Sequence, residues 1–216
     1  MYHYIEDKDF LNRMKSLCAG IINQLVQSIN NDTFMTAKAN LVGSGAKNLV
    51  TQNENEPIDL DYNIIIGTKY VGIYTEQEIK EYIRKQFNKI LRKNRWSDCK
   101  DSKSALSTEK RTVTKGNKTK FSIDLAIIYE DKNGNYRLIH EKSGIVSQDR
   151  YYWNKALESR EVEKKVSILK SNNLWPQVRD TYLNKKNFYL RRNDHNHPSY
   201  VVYIETVNQV YNKFFA

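Results

Sequence analysis

Residues 58–66 read IDLDYNIII, and this stretch decides the fold that the sequence predicts. Its first part alternates apolar and polar residues and its second part is a run of isoleucines, a pattern typical of a buried strand. Side chains two residues apart on a strand project toward the same face. Asp59 and Asp61 are therefore expected on one side of the strand, where the two carboxylates could hold one metal ion between them.

A third carboxylate lies further along the chain, in residues 120–129, which read KFSIDLAIIY and predict a second apolar strand. An unpaired carboxylate such as that of Asp124 is costly to bury in such a strand. Three carboxylates on neighbouring strands repel one another, and two divalent cations resolve the repulsion while offering a site to phosphate oxygens. We expect Asp59, Asp61 and Asp124 to converge on a common point and support in-line phosphoryl chemistry.

Ordinary structural roles remain open for the same residues. Asp59 and Asp61 could form a solvated strand end or salt bridges beside the polar loop at residues 53–57, and Asp124 could be a core carboxylate paired with a lysine. The distinction depends on whether all three side chains meet.

Upstream, residues 37–42 read AKANLV and predict a strand that runs into the tight turn Gly43-Ser44-Gly45. Small residues at a strand-to-helix turn let backbone amides, and here the Ser44 hydroxyl, approach a phosphate closely. On its own the motif favours an ordinary turn.

Taken together, Gly43-Ser44, fourteen intervening residues, Asp59-Leu60-Asp61 and the later Asp124 resemble the signature of the DNA polymerase β-like nucleotidyltransferase superfamily. The resemblance implies an α+β nucleotidyltransferase fold, with a small mixed sheet and flanking helices. It also implies a template-independent enzyme that uses two Mg²⁺ or Mn²⁺ ions, bound by the three aspartates. Such an enzyme transfers a nucleoside monophosphate from a nucleoside triphosphate to a hydroxyl and releases pyrophosphate.

The C-terminal part carries a second resemblance. Residues 197–205, HPSYVVYIE, are similar to the Ser-Tyr helix of oligoadenylate-synthase-like and poly(A)-polymerase-like members. This implies that Ser199 and Tyr200 face the triphosphate. The preceding helix is similar to one that brings a basic residue to the β- and γ-phosphates, a role that would fall to Arg179 or Lys185, although Tyr182 stands where a lysine is expected.

Further periodicities predict the surrounding elements. Apolar residues at three- and four-residue steps predict a helix over about residues 6–30, and the capping box formed by Thr75 and Glu78 predicts another to about residue 92. Strands are predicted at 110–113 and 136–140, with turns at 115–118 and 133–134, and helices at 157–171, 174–187 and 198–214. We therefore predict a catalytic core over residues 1–150 and a C-terminal helical lobe over residues 151–216 that closes a cleft.

The chain has 216 residues and a net charge of +10, which favours anionic partners: a triphosphate, RNA or an acidic membrane face. A basic group could follow an RNA or triphosphate backbone or could be a solvated face, and it comprises Lys89, Arg92, Lys93, Arg95, Lys110, Arg111, Lys115, Lys118 and Lys120. The acceptor stays open between an RNA or tRNA end, a second nucleotide, and a protein or small molecule. A non-catalytic nucleotide- or RNA-binding module is the main alternative.

Several classes are disfavoured by the sequence. The apolar runs are far shorter than the roughly 20 residues of a membrane span, and residues 1–7 show no export leader, so we expect a cytoplasmic protein. Cys18 and Cys99 are isolated, which argues against a cysteine-rich metal site. His195 and His197 suggest zinc only weakly, because a solvated loop explains them as well.

Overall fold

The computed structural model describes residues 1–113, 117–156, 160–194 and 196–215, with the side chain of Arg160 excepted. The strands are β1 (Tyr2–Tyr4), β2 (Ala37–Leu41), β3 (Thr51–Asn53), β4 (Ile58–Ile66), β5 (Lys100–Asp101), β6 (Leu106–Ser107), β7 (Arg111–Thr112), β8 (Lys120–Asp131), β9 (Gly134–Glu141) and β10 (Arg150–Lys155). The helices are α1 (Lys8–Asn30), α2 (Gly43–Lys47), α3 (Glu76–Lys93), α4 (Arg160–Ser171), α5 (Trp175–Arg191) and α6 (Ser199–Phe215).

A mixed sheet with the order β10-β9-β8-β4-β2 forms the centre of the molecule. Strand β4 has the bounds that the sequence predicted, and it runs parallel to β8 and antiparallel to β2. The predicted hairpin joins β8 and β9, but its turn is Lys132-Asn133, one residue before the predicted Asn133-Gly134, because Gly134 already pairs with Asp131. Of the turn predicted at 115–118, residues 115 and 116 lie outside the described residues, while β7 pairs antiparallel with β8 as expected.

Helices α1 and α3 bury their apolar faces in one core with the sheet. The α1 stripe includes Met14 and Leu25, and α3 adds Ile83 and Phe87, all of them inaccessible to solvent. Because these residues recur at helical spacing, each helix has one continuous apolar face to bury. The capping box predicted at the start of α3 is present, with the Thr75 and Glu78 side chains each bonded to the other's backbone amide.

The C-terminal helices form a second apolar cluster. Val178 and Tyr182 from α5 pack with Val202 and Val207 from α6, and Leu49 joins them from the segment after α2. The three predicted helices are confirmed with small shifts in their ends, and residues 157–159 lie outside the described residues. Strand β10 begins at the predicted domain boundary and still belongs to the central sheet, so the division into two domains stays a prediction.

Five strands were not predicted, namely β1, β3, β5, β6 and β10. Strand β1 pairs antiparallel with β3 in a separate two-stranded sheet, and β5 and β6 pair beside β8. Within the described part of the chain, no helix is both long and apolar enough to cross a membrane.

Candidate active site

The three aspartates lie at the edge of one cleft of about 400 Å³. Asp59 and Asp61 are on β4, and the parallel register places Asp61 directly opposite Asp124 on β8 and Asp59 opposite Ser122. Because opposite residues on paired strands share a face, all three carboxylates face the same side of the sheet. The alternation of apolar and acidic residues in 58–61 therefore places Asp59 and Asp61 on one face of the strand, as predicted.

Two of the three carboxylates also have serine partners. The Ser122 hydroxyl donates a hydrogen bond to Asp59 Oδ1, and the Asp124 carboxyl shares a hydrogen bond with the Ser107 side chain. Among the described residues, no group of three or more His, Cys, Asp or Glu side chains is placed to hold one metal ion. Neighbouring serines thus bond to two of the carboxylates, and the convergence of all three on metal ions stays a prediction.

The electrostatics of the cleft nevertheless favour a cation. Burial, followed by the charges of Asp124 and Asp59, raises the pKa of Asp61 to about 6. Burial also raises the pKa of Asp124, helped by Asp59 and opposed by Ser107 and Lys110. Since carboxylate oxygens are the ligands that Mg²⁺ and Mn²⁺ prefer, the donor set fits divalent cations.

Gly43 and Ser44 lie against the carboxylates. Val42 N donates to the Asp61 carbonyl at 2.8 Å, which holds the turn next to β4. Gly43 has φ +61°, a conformation that L side chains rarely adopt, and a Cβ built on it would collide with Asp61 Oδ2. Both Gly43 and Ser44 line the cleft, so the structure brings this predicted pair to the aspartates.

The same cleft is lined by two lysines that the sequence did not indicate. Lys186 on α5 donates from Nζ to Thr51 Oγ1 at 3.0 Å, and burial lowers its pKa to about 8 against the opposing charge of Glu56. Lys47 on α2 lies with Nζ 5.0 Å from the ring centre of Tyr203, and burial lowers its pKa as well. Both lysines line the cleft.

Arg179 and Lys185, which the sequence suggested for the phosphates, do not line the cleft. Lys185 Nζ lies 3.4 Å from Glu205 Oε2. The Arg179 guanidinium stacks 3.9 Å from the Tyr4 ring centre and donates to the Asn48 carbonyl. One residue turns a helix by about 100°, so Lys185 points away from the face that carries Lys186.

Helical spacing could have identified Lys186. Counting in steps of four from Val178 through Tyr182 leads to Lys186, so the three residues share one face of α5. Val178 and Tyr182 are buried in the cluster of C-terminal helices, which directs this face inward.

Ser199 and Tyr200 line the cleft, as the resemblance implied. Tyr182, found where a lysine was expected, is 2% exposed and shares a hydrogen bond with the Ser199 side chain. The start of α6 is therefore anchored to α5 by a neutral contact, and the lysine of α5 that lines the cleft is Lys186.

The remaining basic and histidine residues are mostly engaged elsewhere. Arg111 donates to Glu109 at 2.8 Å and Arg92 to Asp98 at 2.7 Å, whereas Lys115 lies outside the described residues. His197 stacks on Tyr189 at 3.8 Å, and His195 is also outside the described part. Contact of the basic group with RNA therefore stays a prediction.

Comparison with known proteins gives a result at the level of structure. No protein-family model and no curated protein matches the sequence. The fold is similar to that of Elizabethkingia meningoseptica CdnE cyclic dinucleotide synthase with GTP and Apcpp, with a TM-score of 0.59 and 10% identity over 98% of this chain and 78% of that one.

Two further solved structures share the fold. Vibrio cholerae DncV cyclic AMP-GMP synthase gives a TM-score of 0.51 and 10% identity over 74% of this chain and 55% of that one. The CdnC of an E. coli MS115-1 CdnC:HORMA-deltaN complex gives a TM-score of 0.58 and 11% identity over 94% of this chain and 60% of that one. The chain thus spans little more than half the length of DncV and CdnC, and the predicted α+β nucleotidyltransferase fold is confirmed.

Proposed function

We propose that this protein is a metal-dependent nucleotidyltransferase that transfers a nucleoside monophosphate from a nucleoside triphosphate to a hydroxyl acceptor. The observation that carries the proposal is that acidic and basic side chains line one cleft together. Asp59, Asp61 and Asp124 come from β4 and β8, and the lysines are Lys47 of α2 and Lys186 of α5. A triphosphate complexed with divalent cations matches both kinds of side chain.

The lysines support triphosphate binding. Lys186 is partly buried, and burial outweighs the opposing charge of Glu56 so that the pKa of its ammonium is lowered. Burying an ammonium is costly, and an anionic ligand offsets that cost. The Ser44 hydroxyl and the turn at Gly43 supply small polar contacts on the same side as the aspartates.

The aspartates would hold the metal. Asp59, Asp61 and Asp124 would bind two Mg²⁺ or Mn²⁺ ions, whose chemistry is to lower the pKa of the acceptor hydroxyl and to stabilise the charge of the leaving pyrophosphate. Side-chain rotation away from Ser122 and Ser107 frees the oxygens of Asp59 and Asp124 for this role. In the reaction the acceptor oxygen forms a bond to the α-phosphorus, and the bond between the α-phosphorus and the oxygen that bridges it to the β-phosphorus breaks. Pyrophosphate leaves, and the hydroxyl proton passes to water.

The net charge of +10 supports an anionic acceptor, either an RNA or tRNA end or a second nucleotide. The solved structures that share the fold include proteins named as cyclic dinucleotide and cyclic AMP-GMP synthases, which supports the second nucleotide. A protein or an uncharged small molecule fits the charge less well.

A second function has one observation in its favour. Because Asp59 and Asp124 are already bonded to Ser122 and Ser107, the cleft could bind a nucleotide without turning it over. Such a binding module would show nucleotide affinity and no pyrophosphate release.

The test is to incubate the protein with each of the four ribonucleoside triphosphates, Mg²⁺ or Mn²⁺, and total RNA, and to measure pyrophosphate and product mass. We expect release that disappears in the Asp59→Ala/Asp61→Ala variant and persists in Asp9→Asn, an exposed acidic control on α1. The product mass then identifies the acceptor. Binding of a triphosphate without release would favour the binding module, and no binding would refute both functions.

A further inference from the structure

Strand β1 is held between β3 and α5 by contacts that concentrate next to the cleft. Tyr2 N donates to Asn187 Oδ1 at 2.7 Å, and Asn187 Nδ2 donates to the Tyr2 carbonyl at 2.9 Å. The Asn187 side chain, only 9% exposed, thus pairs with the Tyr2 backbone as a neighbouring strand would. On its other side, Tyr2 pairs with Asn53 of β3.

The pairing of Tyr2 with Asn187 also determines what surrounds Lys186, the neighbouring residue on α5. Lys186 Nζ lies 3.8 Å from the ring centre of Tyr2 and donates to Thr51 Oγ1 on β3. Tyr2, Thr51 and Lys186 all line the cleft. The ammonium therefore lies among β1, β3 and α5 and lines the cleft.

We propose that Tyr2 is a positioning residue for the triphosphate site. Asn187 holds the Tyr2 backbone, and the Tyr2 ring then covers the Lys186 ammonium and holds it toward the cleft. This inference rests on the proposed function, because it assigns Lys186 to the triphosphate. It adds that the affinity of the cleft depends on β1, a strand that carries none of the aspartates.

The groups around Lys186 give the inference a specific signature. Tyr2 faces it from β1, Glu56 from the loop after β3, and Tyr182 from its own helix with a ring centre 5.8 Å away. Other titratable groups in the lining of the same cleft are Lys47, Asp59, Asp61, Asp124, Tyr200 and Tyr203. Burial is the largest influence on Lys186 and lowers its pKa to about 8.

The sign of the pH dependence follows from that burial. The ammonium is charged below its pKa, so anion binding should weaken as the pH rises through about 8. Replacing the Tyr2 ring with a methyl group admits water to the ammonium, which returns its pKa toward the ordinary lysine value of about 10.4. Binding in Tyr2→Ala should therefore be weaker at neutral pH and persist to higher pH.

The experiment measures the affinities for ATP and GTP by titration calorimetry from about pH 6.5 to about pH 10. We expect Tyr2→Ala and Asn187→Ala to bind roughly five- to tenfold more weakly near neutral pH and to move the alkaline midpoint up by at least about one unit. Tyr2→Phe keeps the ring, and Asn184→Ala changes an exposed position on the same helix, so both should match the wild type. Thermal melting checks that each variant is folded.

The outcomes separate this inference from the proposed function. If Lys186→Met weakens nucleotide binding and neither Tyr2→Ala nor Asn187→Ala moves the alkaline midpoint, the positioning role of Tyr2 is refuted and the triphosphate site stands. If Lys186→Met binds as tightly as the wild type, the place of Lys186 in the triphosphate site is refuted. Should Tyr2→Ala fail to fold, Asn187→Ala decides the question alone.

Discussion

Asp61 is affected both by burial and by the negative charges of the other two aspartates. Burial, Asp124 and Asp59 raise its pKa to about 6, and only the ionised carboxylate can bind a cation. We predict that pyrophosphate release falls as the pH drops through about 6, approaching tenfold per pH unit. Because Mg²⁺ competes with the proton, higher Mg²⁺ should move this midpoint to lower pH.

Initial rates between about pH 5 and about pH 8, at low and high Mg²⁺, test this prediction. Glu130→Gln is the matched control, since this exposed carboxylate at the far end of β8 pairs with Lys38 and does not line the cleft. A midpoint that does not respond to Mg²⁺ would contradict the assignment of Asp61 as a metal ligand.

Gly43 combines two constraints at one residue. Its φ of +61° costs an L residue about 1–2 kcal/mol, and an added Cβ would also collide with Asp61 Oδ2. We predict that Gly43→Ala destabilises the fold by roughly 1–3 kcal/mol and reduces activity at least about a hundredfold, since a shift of about 1 Å is enough for that loss.

Urea unfolding and pyrophosphate release measure the two effects of Gly43→Ala separately. Gly45→Ala is the matched control, because its Cβ would meet the Leu41 and Leu60 side chains at 3.0 Å and not the aspartate. Gly45→Ala should lower stability with far less effect on the rate of the folded protein. Equal rates for the two variants would show that the close approach of Gly43 to Asp61 is not needed for activity.

At the scale of elements, a buried ionic network ties α3, β5 and β9 together. Lys80 Nζ lies 2.6 Å from Asp101 Oδ1, and His140 Nδ1 lies 2.6 Å from Asp101 Oδ2. His140 Nε2 also reaches Asp149 Oδ2 at 2.9 Å, before β10. Lys80 is only 1% exposed, so its charge depends on this carboxylate.

We predict that Asp101→Asn costs about 3–5 kcal/mol, because it leaves a buried ammonium without its counter-ion. Asp98→Asn removes only an exposed pair with Arg92 and should cost less than about 1 kcal/mol. The pKa of Asp101 lies below its ordinary value. Burial alone would raise it, but hydrogen bonds from Lys80 and His140 lower it further than burial raises it.

The lowered pKa fixes the sign of the pH effect. The contribution of Asp101 is present above the ordinary carboxyl pKa of about 3.9 and is lost as the pH falls through the lowered value. Urea unfolding of wild type and Asp101→Asn should therefore differ by a constant amount from neutral pH down to about 4, and converge below it. A difference that vanishes already at pH 6 would exclude this origin.

The elements with strong local patterns were the predictable ones. Strand β4 and the capping box of α3 follow from alternation and from two side chains three residues apart, and both were confirmed. Strand β1 has only three residues and owes its place to β3 and to Asn187, a contact 185 residues away, so no local pattern marks it.

The same distinction separates the aspartates of the site from its lysines. The aspartates were found because their strands carry a recognisable spacing, whereas Lys186 depends on which face of α5 is turned inward by Tyr182 and Val178. The serines that hold Asp59 and Asp124 come from strands β8 and β6 and could not be assigned before the register was known.

At the scale of the whole molecule, the cleft joins the two apolar clusters. Its aspartates are on strands of the core formed with α1 and α3, and Lys186 and Tyr203 are on helices of the C-terminal cluster. A ligand that contacts both groups binds the folded protein and has no comparable site in the unfolded chain. Its binding should therefore stabilise the entire fold.

We predict that a nucleoside triphosphate with Mg²⁺, present at about 100 times its dissociation constant, adds about 2.7 kcal/mol to the free energy of unfolding. For a chain of this size, that corresponds to a rise in Tm of roughly 5–10 °C. Differential scanning fluorimetry with each triphosphate measures the shift. Lys186→Met should lose most of it at the same nucleotide concentration, and Asp59→Ala/Asp61→Ala should lose the part that depends on Mg²⁺. A full shift in both variants would place the nucleotide outside the cleft.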